Sequence, residues 1–289
     1  MSQSTEGHRI FNQELKLRAV SAIVLAAAVL WMTWIGGQTF TLLWAVIAIA
    51  VFFEYSRICR EALPFQTVIA GYAAILLVIG AWMTGQHLIA FWMAAVTCAV
   101  LLCWEIVVRR SFWASIGIVY ALLPLFAMSE LRGESHTGLF IIIMLFGCVW
   151  GADILAYFFG KSIGGPKLAP RISPKKTWSG FIGSLIGALG LTYLVCWFFG
   201  FGATFSFAVV ILLLAVVSQI GDLIESVLKR KFHVKDSGAL IPGHGGILDR
   251  IDGLIMAGVV LWIVLLVMRY SDGNDIALGD LFVNAFLMP

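Results

Sequence analysis

The chain has 289 residues, 61% of them hydrophobic, 13% aromatic and 12% charged, with a net charge of +3, whereas an ordinary soluble domain carries about 25% charged residues. A mean hydropathy of +0.98 leaves too little polar sequence to coat a water-soluble globule, which excludes a soluble enzyme, a disordered chain and a disulfide scaffold. The small positive charge does not point to nucleic acid, so where the charges fall matters more than their sum.

Residues 1–18 are polar, carry Glu6, His8, Arg9, Glu14, Lys16 and Arg18, and do not resemble a secretory signal; they predict a cytoplasmic N-terminal segment. Nine apolar runs follow, at 19–35, 39–54, 66–83, 88–107, 112–128, 138–159, 180–200, 204–228 and 250–269. A bilayer takes about 20 apolar residues to cross and offers backbone groups no partners, so each run predicts a spanning helix. The second and fifth runs are short, which leaves them tilted, re-entrant or differently bounded. The five cysteines, Cys59, Cys98, Cys103, Cys148 and Cys196, lie mostly in these runs without a Cys-x-x-Cys spacing and read as small apolar packing.

With the N-terminus inside, all of the 19 Lys and Arg except Arg132 and Arg269 fall on the cytoplasmic side, the asymmetry that cytoplasmic loops show. The predicted fold class is therefore all-α, a polytopic integral membrane protein of about nine transmembrane helices with its C-terminus outside. Five helices occupy 19–137 and four occupy 138–270, with hydrophilic sequence gathered in two cytoplasmic loops, 160–179 and 229–249. The tail 271–289, acidic at Asp272, Asp275 and Asp280 and then apolar, is too short to span and is expected at the outer surface.

Carboxylates at membrane depth cost several kcal/mol and usually face a protein cavity. Asp153 lies in the sixth run with Tyr157 one turn on; it either bonds a neighbouring helix's backbone or faces a functional cavity. The eighth run ends in Gly221-Asp222-Leu-Ile-Glu225-Ser226-Val-Leu-Lys229-Arg230, where 222, 225, 226 and 229 share one helical face. The ninth opens with Asp249-Arg250-Ile251-Asp252, two acids three apart. One acid in a first turn suits the helix dipole; two on a face that continues as lipid-grade sequence ask for more.

Between these helices lie Lys235, Asp236 and the turn Pro242-Gly243-His244-Gly245-Gly246. The turn alone is ordinary, but its glycines let backbone amides approach an anion. In the other loop, Lys161, Lys167 and Arg171 are either anchors for anionic lipid or substrate contacts. Ser173-Pro-Lys175-Lys176-Thr177 stands just before a helix start, where anions bind well. Acids able to hold a cation, facing cations and amides able to hold phosphates, are the parts of phosphoryl or nucleotidyl transfer. A hard cation such as magnesium suits all-oxygen ligands, and neither a Walker run nor a kinase motif set is present.

At these residues the sequence resembles the phosphatidate cytidylyltransferase (CDP-diacylglycerol synthase) family. Its long signature stands here as Ser226-Val-Leu-Lys229-Arg230, Lys235-Asp236, Pro242-Gly-His244-Gly245-Gly246 and Asp249-Arg250-Ile-Asp252, matching every fixed position across 27 residues. The likeness extends to Gly221-Asp222, Ser173 to Thr177, and Asp153, Tyr157, Gly160 and Lys161. The first 150 residues match only in being apolar and multi-spanning, and Ser179 departs from the family, which commonly has Glu there.

The resemblance implies the reaction of CTP with phosphatidate to CDP-diacylglycerol and pyrophosphate, with Mg2+ and room for a second cation, in a mostly helical homodimeric membrane enzyme; a short chain with no transit-like start is expected in a bacterial inner membrane, and the placement of the basic loops puts the site on the cytoplasmic face. On that reading Asp222 and Asp249 hold the metal, while Lys229, Arg230, Lys235 and the Gly245 and Gly246 amides steady the triphosphate. Ser173, Lys175, Lys176 and Thr177 meet the phosphatidate head group or the leaving pyrophosphate. Asp153, Asp236 and Asp252 orient these groups, Tyr157, Ser226 and Arg250 line the substrate site, and His244 donates to a phosphate or supports its loop. The partners are CTP, phosphatidate and membrane lipid, with no nucleic acid. The rivals are a CTP-dependent lipid kinase, a CDP-alcohol phosphotransferase (whose Asp-Gly helix pattern is missing) and a transporter with buried carboxylates.

Overall fold

Each of the nine apolar runs becomes a helix in the computed structural model, which describes residues 23–241, 245–273 and 276–288. They are α1 (Ile23–Ile35), α2 (Gly37–Ile58), α3 (Phe65–Met83), α4 (His87–Trp104), α5 (Trp113–Arg132), α6 (His136–Ser162), α7 (Trp178–Phe199), α8 (Phe205–Lys231) and α9 (Leu248–Asp272). Eight of them, α2 to α9, are long and apolar enough to cross a membrane. The chain is an all-α, multi-pass membrane protein. The predicted segment 1–18, residues 19–22, the Pro242-Gly243-His244 part of the turn, and Asp275 lie outside the described residues.

The two runs that look short in sequence are differently bounded, and as helices both are long and apolar enough to span. Helix α2 runs four residues past Glu54, and α5 continues through Ser129-Glu130-Leu131-Arg132, because the charges that break these runs are taken up by protein. Glu54 is 0% and Arg132 4% exposed. Helix ends are closed by hydroxyl caps: Ser135, Thr177 and Thr204 each accept the amide of the residue three further on, Gly138, Gly180 and Phe207, at 2.9, 3.1 and 3.1 Å. Helix α4 passes into a π-helical turn (Glu105–Arg109), and the buried Glu105 carboxylate accepts the Ala114 and Ser115 amides at the start of α5, both at 3.0 Å.

In lipid, helices gain little from apolar burial and associate through close packing of small residues. Gly151 of α6 and Gly187 of α7 face each other so closely that a Cβ on either would come within 2.3 or 2.0 Å of the other's carbonyl oxygen. Gly221 of α8 is equally pinned, its added Cβ falling 2.7 Å from the Asp252 carbonyl on α9. These two crossings pair α6 with α7 and α8 with α9. The loop 160–179, expected as hydrophilic sequence with no secondary structure assigned, folds into a hairpin of β1 (Lys167–Ala169) and β2 (Ser173–Thr177), with Lys167 opposite Thr177 and Ala169 opposite Ser173. A two-stranded hairpin tolerates Pro174 because an edge strand leaves half its amides unpaired.

At the far end of the bundle the tail forms α10 (Leu278–Phe286) and β4 (Leu287–Met288), which pairs with β3 (Gly202–Ala203). Leu278, Leu281 and Phe282 are buried there, and Thr137 at the start of α6 donates to Asp280 at 2.8 Å.

Candidate active site

Two clusters of charge meet where α6, α8 and α9 end. The first is built on β2, whose alternation sends successive side chains to opposite faces. Lys175 is exposed, while Lys176 turns onto α8, its Nζ 2.7 Å from Asp222 Oδ2 and 3.2 Å from Gln219 Oε1. Gln219, Asp222 and Ser226 share one helical stripe, and the Ser226 hydroxyl donates to Asp222 Oδ1 at 3.4 Å. An open cavity of about 320 Å³ lies over them, walled by Asp153, Tyr157 and Lys161 of α6, by Lys175 and Lys176, and by Asp222. Asp153 thus faces the cavity, and among the described residues it makes no hydrogen bond to a neighbouring backbone. Lys161 reaches the Tyr157 hydroxyl at 3.2 Å. Thr177 is spent on the fold: 5% exposed, it caps α7. Ser173 is half-buried at the start of β2.

The second cluster joins α8, α9 and their connection. Lys229 Nζ donates to Asp249 Oδ1 and lies 3.3 Å from Glu225. Asp249 Oδ2 accepts the amide and hydroxyl of Ser237 at 2.9 and 2.8 Å. Behind them stands Glu54, which accepts the Ser237 hydroxyl at 3.1 Å and the amides of Ile247 and Leu248 at 3.0 and 2.8 Å. One carboxylate from α2 therefore fastens the glycine-rich turn to the start of α9. Gly246 is fixed by this contact, since a Cβ there would fall 1.8 Å from the Ser237 hydroxyl. Gly245 takes a φ of +86° and its amide bonds the Ile241 carbonyl at 3.2 Å, so of the two expected amide donors this one is engaged within the turn.

Glu225 and Asp252 stand between the clusters. Asp153 lies within electrostatic reach of Asp222, Asp252, Lys176 and Arg250, and Asp252 within reach of Asp222, Glu225 and Lys229. Glu225 is 1% exposed, and the charge compensating it is Lys229, 3.3 Å from its Oε1. Five carboxylates, Asp153, Asp222, Glu225, Asp249 and Asp252, thus face Lys176, Lys229 and Arg250. Arg230, Lys235 and Asp236 are exposed around this centre and form no ion pairs among the described residues. His244 lies outside the described residues.

The donor set suits a hard divalent cation: oxygen ligands only, and an excess of carboxylate over cationic side chains. Among the described residues no three His, Cys, Asp or Glu side chains converge on one point, which fits a cation held by one or two carboxylates and completed by substrate phosphate and water.

Residues 16–268 match the profile of the Cytidylyltransferase family. The chain belongs to that family. It is 43% identical to a phosphatidate cytidylyltransferase of Brucella abortus over 256 residues, 86% of this chain and 92% of the relative. It is 35% identical to one of Haemophilus influenzae over 275 residues, 84% of this chain and 96% of the relative. A phosphatidate cytidylyltransferase of Rickettsia bellii matches over 131 residues at 43% identity, 43% of this chain and 57% of the relative.

Within this cytidylyltransferase Glu54, Gln219, Ser237 and Glu225 belong to the site although sequence alone does not assign them a role there. Glu54 carries the same signal as Asp153, a carboxylate inside an apolar stretch, but ending the second run at that residue turns a buried acid into a boundary. Gln219 lies one turn before Asp222 on the same stripe. Ser237 has no signal of its own beyond adjoining Asp236.

Proposed function

We propose that this cytidylyltransferase joins CTP to phosphatidate, releasing pyrophosphate and leaving CDP-diacylglycerol in the membrane, on the cytoplasmic face of a bacterial inner membrane. The observation that carries the reading is the pairing of lysine with carboxylate twice over, Lys176 with Asp222 and Lys229 with Asp249, at the meeting point of four helix ends. Each pair holds a cationic group suited to phosphate and an anionic group suited to a metal, neutralising one another until substrate arrives.

The phosphate of phosphatidate is already an anion at neutral pH, so no general base is needed. What obstructs the reaction is the repulsion of two polyanions. Lys176 and Lys175, projecting from the hairpin at the cavity mouth, receive one set of phosphates. Lys229, with Arg230 and Lys235 nearby, receives the other and steadies charge as pyrophosphate leaves. Asp222 and Asp249 would hold Mg2+, with Asp252 and Asp153 orienting it; bound there, the ion would neutralise the triphosphate and favour in-line departure of pyrophosphate. Ser226 keeps Asp222 in its rotamer, and Thr177 acts by capping α7, which fixes the position of Lys176.

Purified protein supplied with CTP, phosphatidate and Mg2+ is expected to release pyrophosphate and to carry label from the α-phosphate of CTP into lipid. Label from the γ-phosphate in lipid would make it a kinase instead. The homodimer that the resemblance implies is tested by light scattering of the purified protein.

A further inference from the structure

A second cavity, of about 350 Å³, lies on the other side of α9, between α4, α5 and α9, and its open surface is wholly apolar. Ser115, Val119, Tyr120 and Leu123 mark it along α5, and Met256 and Val259 along α9, steps of three and four that trace one face of each helix. At 1.5 Å per residue, Ser115 to Leu123 spans about 12 Å, so the cleft descends about two turns from the site end into the bundle. Its outer rim is lipid-facing: Leu102, Ile116 and Val119 are 38%, 41% and 40% exposed. The third wall, α4, is the least enclosed of the eight long helices, with 11% of its most apolar stretch buried against 67% for α5.

The inner end of the cleft abuts the charged centre. Met256 is one turn along α9 from Asp252, and its Cγ lies 2.7 Å from where a Cβ of Gly221, the neighbour of Asp222, would stand. The Tyr120 hydroxyl is buried without a hydrogen-bond partner, within electrostatic reach of Asp252 and Glu225. A wholly apolar cleft open to hydrocarbon at one side and ending beside the carboxylates at the other matches a molecule with a charged head and a hydrocarbon tail.

We propose that the α4/α5/α9 cleft is the slot for one acyl chain of the glycerolipid substrate, with Tyr120 and Met256 at the point where chain gives way to head group. This rests on the lipid-substrate reading above. A chain entering the slot leaves hydrocarbon rather than water, so it gains little affinity; the slot acts through shape, admitting chains that fit and penalising those that do not.

Two variants at the lipid-facing wall test it. Ala99→Phe narrows the cleft and Leu102→Ala widens it, and both are exposed positions whose substitution spares the packed core. For Ala99→Phe, turnover of dioleoyl phosphatidate is expected to fall about tenfold while that of dihexanoyl phosphatidate, too short to fill the slot, stays within about twofold of the parent; Leu102→Ala is expected to tolerate bulkier chains. Equal effects on both lipids, or none on either, would overturn the slot. A parent enzyme that turns over neither lipid would instead refute the reading beneath it. Independently of activity, phosphatidate carrying a mid-chain diazirine is expected to label α4, α5 or α9 at the cleft, with labelling displaced by phosphatidate but not by phosphatidylethanolamine. Labelling confined elsewhere, or displaced equally by both lipids, would also overturn it.

Discussion

The two ends of the bundle both bury charge and use it differently. At the far end the Arg132 guanidinium donates to the carbonyls of Thr33 and Trp34 at 2.7 and 3.0 Å, and to those of Gly133 and Ser135. It packs so tightly on Gly36 that a Cβ there would fall 2.6 Å from its central carbon, and Gly36 also needs a φ of +72°. That cation is consumed by backbone and acts as a fastener for the α1–α2 turn. At the site end, charged side chains face one another, the buried Glu225 carboxylate and Asp249 share one lysine, and Asp222 is 41% exposed beside another. A charge satisfied wholly by backbone is structural; a charge held in part by an opposite charge, as Asp249 is by Lys229 and Asp222 by Lys176, can be handed to a substrate.

The sharpest break in this contrast is at Asp249. Asp249→Asn keeps the Ser237 contacts but removes the charge that Lys229 and a cation share, and turnover is expected to fall by about a thousandfold or more while the protein still purifies as a single species. Near-parental turnover would remove Asp249 from the metal role. Chelating divalent metal is expected to stop product formation in the parent, and activity that persists in excess chelator would contradict metal assistance.

Glu54 sharpens the contrast from the other side, since it stands at the site end yet is satisfied largely by backbone amides, as Arg132 is satisfied by carbonyls. Glu54→Gln leaves an amide group facing the Ile247 or Leu248 donor, so a loss of about 2–3 kcal/mol in stability is expected, read as a lowered Tm in detergent. Turnover is expected to fall about a hundredfold because the turn and the first turn of α9 lose their fastening. A lowered Tm with parental turnover would confine Glu54 to the fold.

Lys176→Ala removes a half-exposed pair worth little to stability, so Tm should hardly move. The loss should fall on binding: about a tenfold rise in KM for one of the two substrates, the scale of one charge-assisted contact. Unchanged kinetics for both substrates would reduce Lys176 to a lipid anchor.

The nine helices were legible because hydrocarbon forces a long apolar run to pair its own backbone, a rule that needs no tertiary knowledge. The acids and lysines of α8 and α9 were legible for the converse reason, being charges that hydrocarbon does not tolerate. What stayed hidden depends on distant partners. Glu54 binds residues 183 to 194 positions away, and nothing near it announces this. The folding of Ser173 to Thr177 as a strand, and the engagement of Gly245 by Ile241, follow from pairings that composition does not encode. Asp222 and Asp249, expected together, belong to separate lysine pairs, Lys176–Asp222 and Lys229–Asp249, an arrangement that spacing along the chain does not encode.

The smallest effect tests the far end alone. Trp262, 4% exposed on α9, donates its indole N–H to Glu130 at 3.0 Å and stacks on Phe91 with ring centroids 5.9 Å apart. Trp262→Phe keeps a ring to stack but loses the donor and some volume. Glu130 lines a cavity at that end, where water can replace the lost hydrogen bond, so the cost should be about 1 kcal/mol, seen as a small fall in Tm. Turnover and both KM values should stay within about twofold of the parent, because sites far apart without shared partners act additively. A variant with parental Tm and impaired turnover would mean that this end is coupled to the chemistry after all, and the division between fastening charge and working charge would fail.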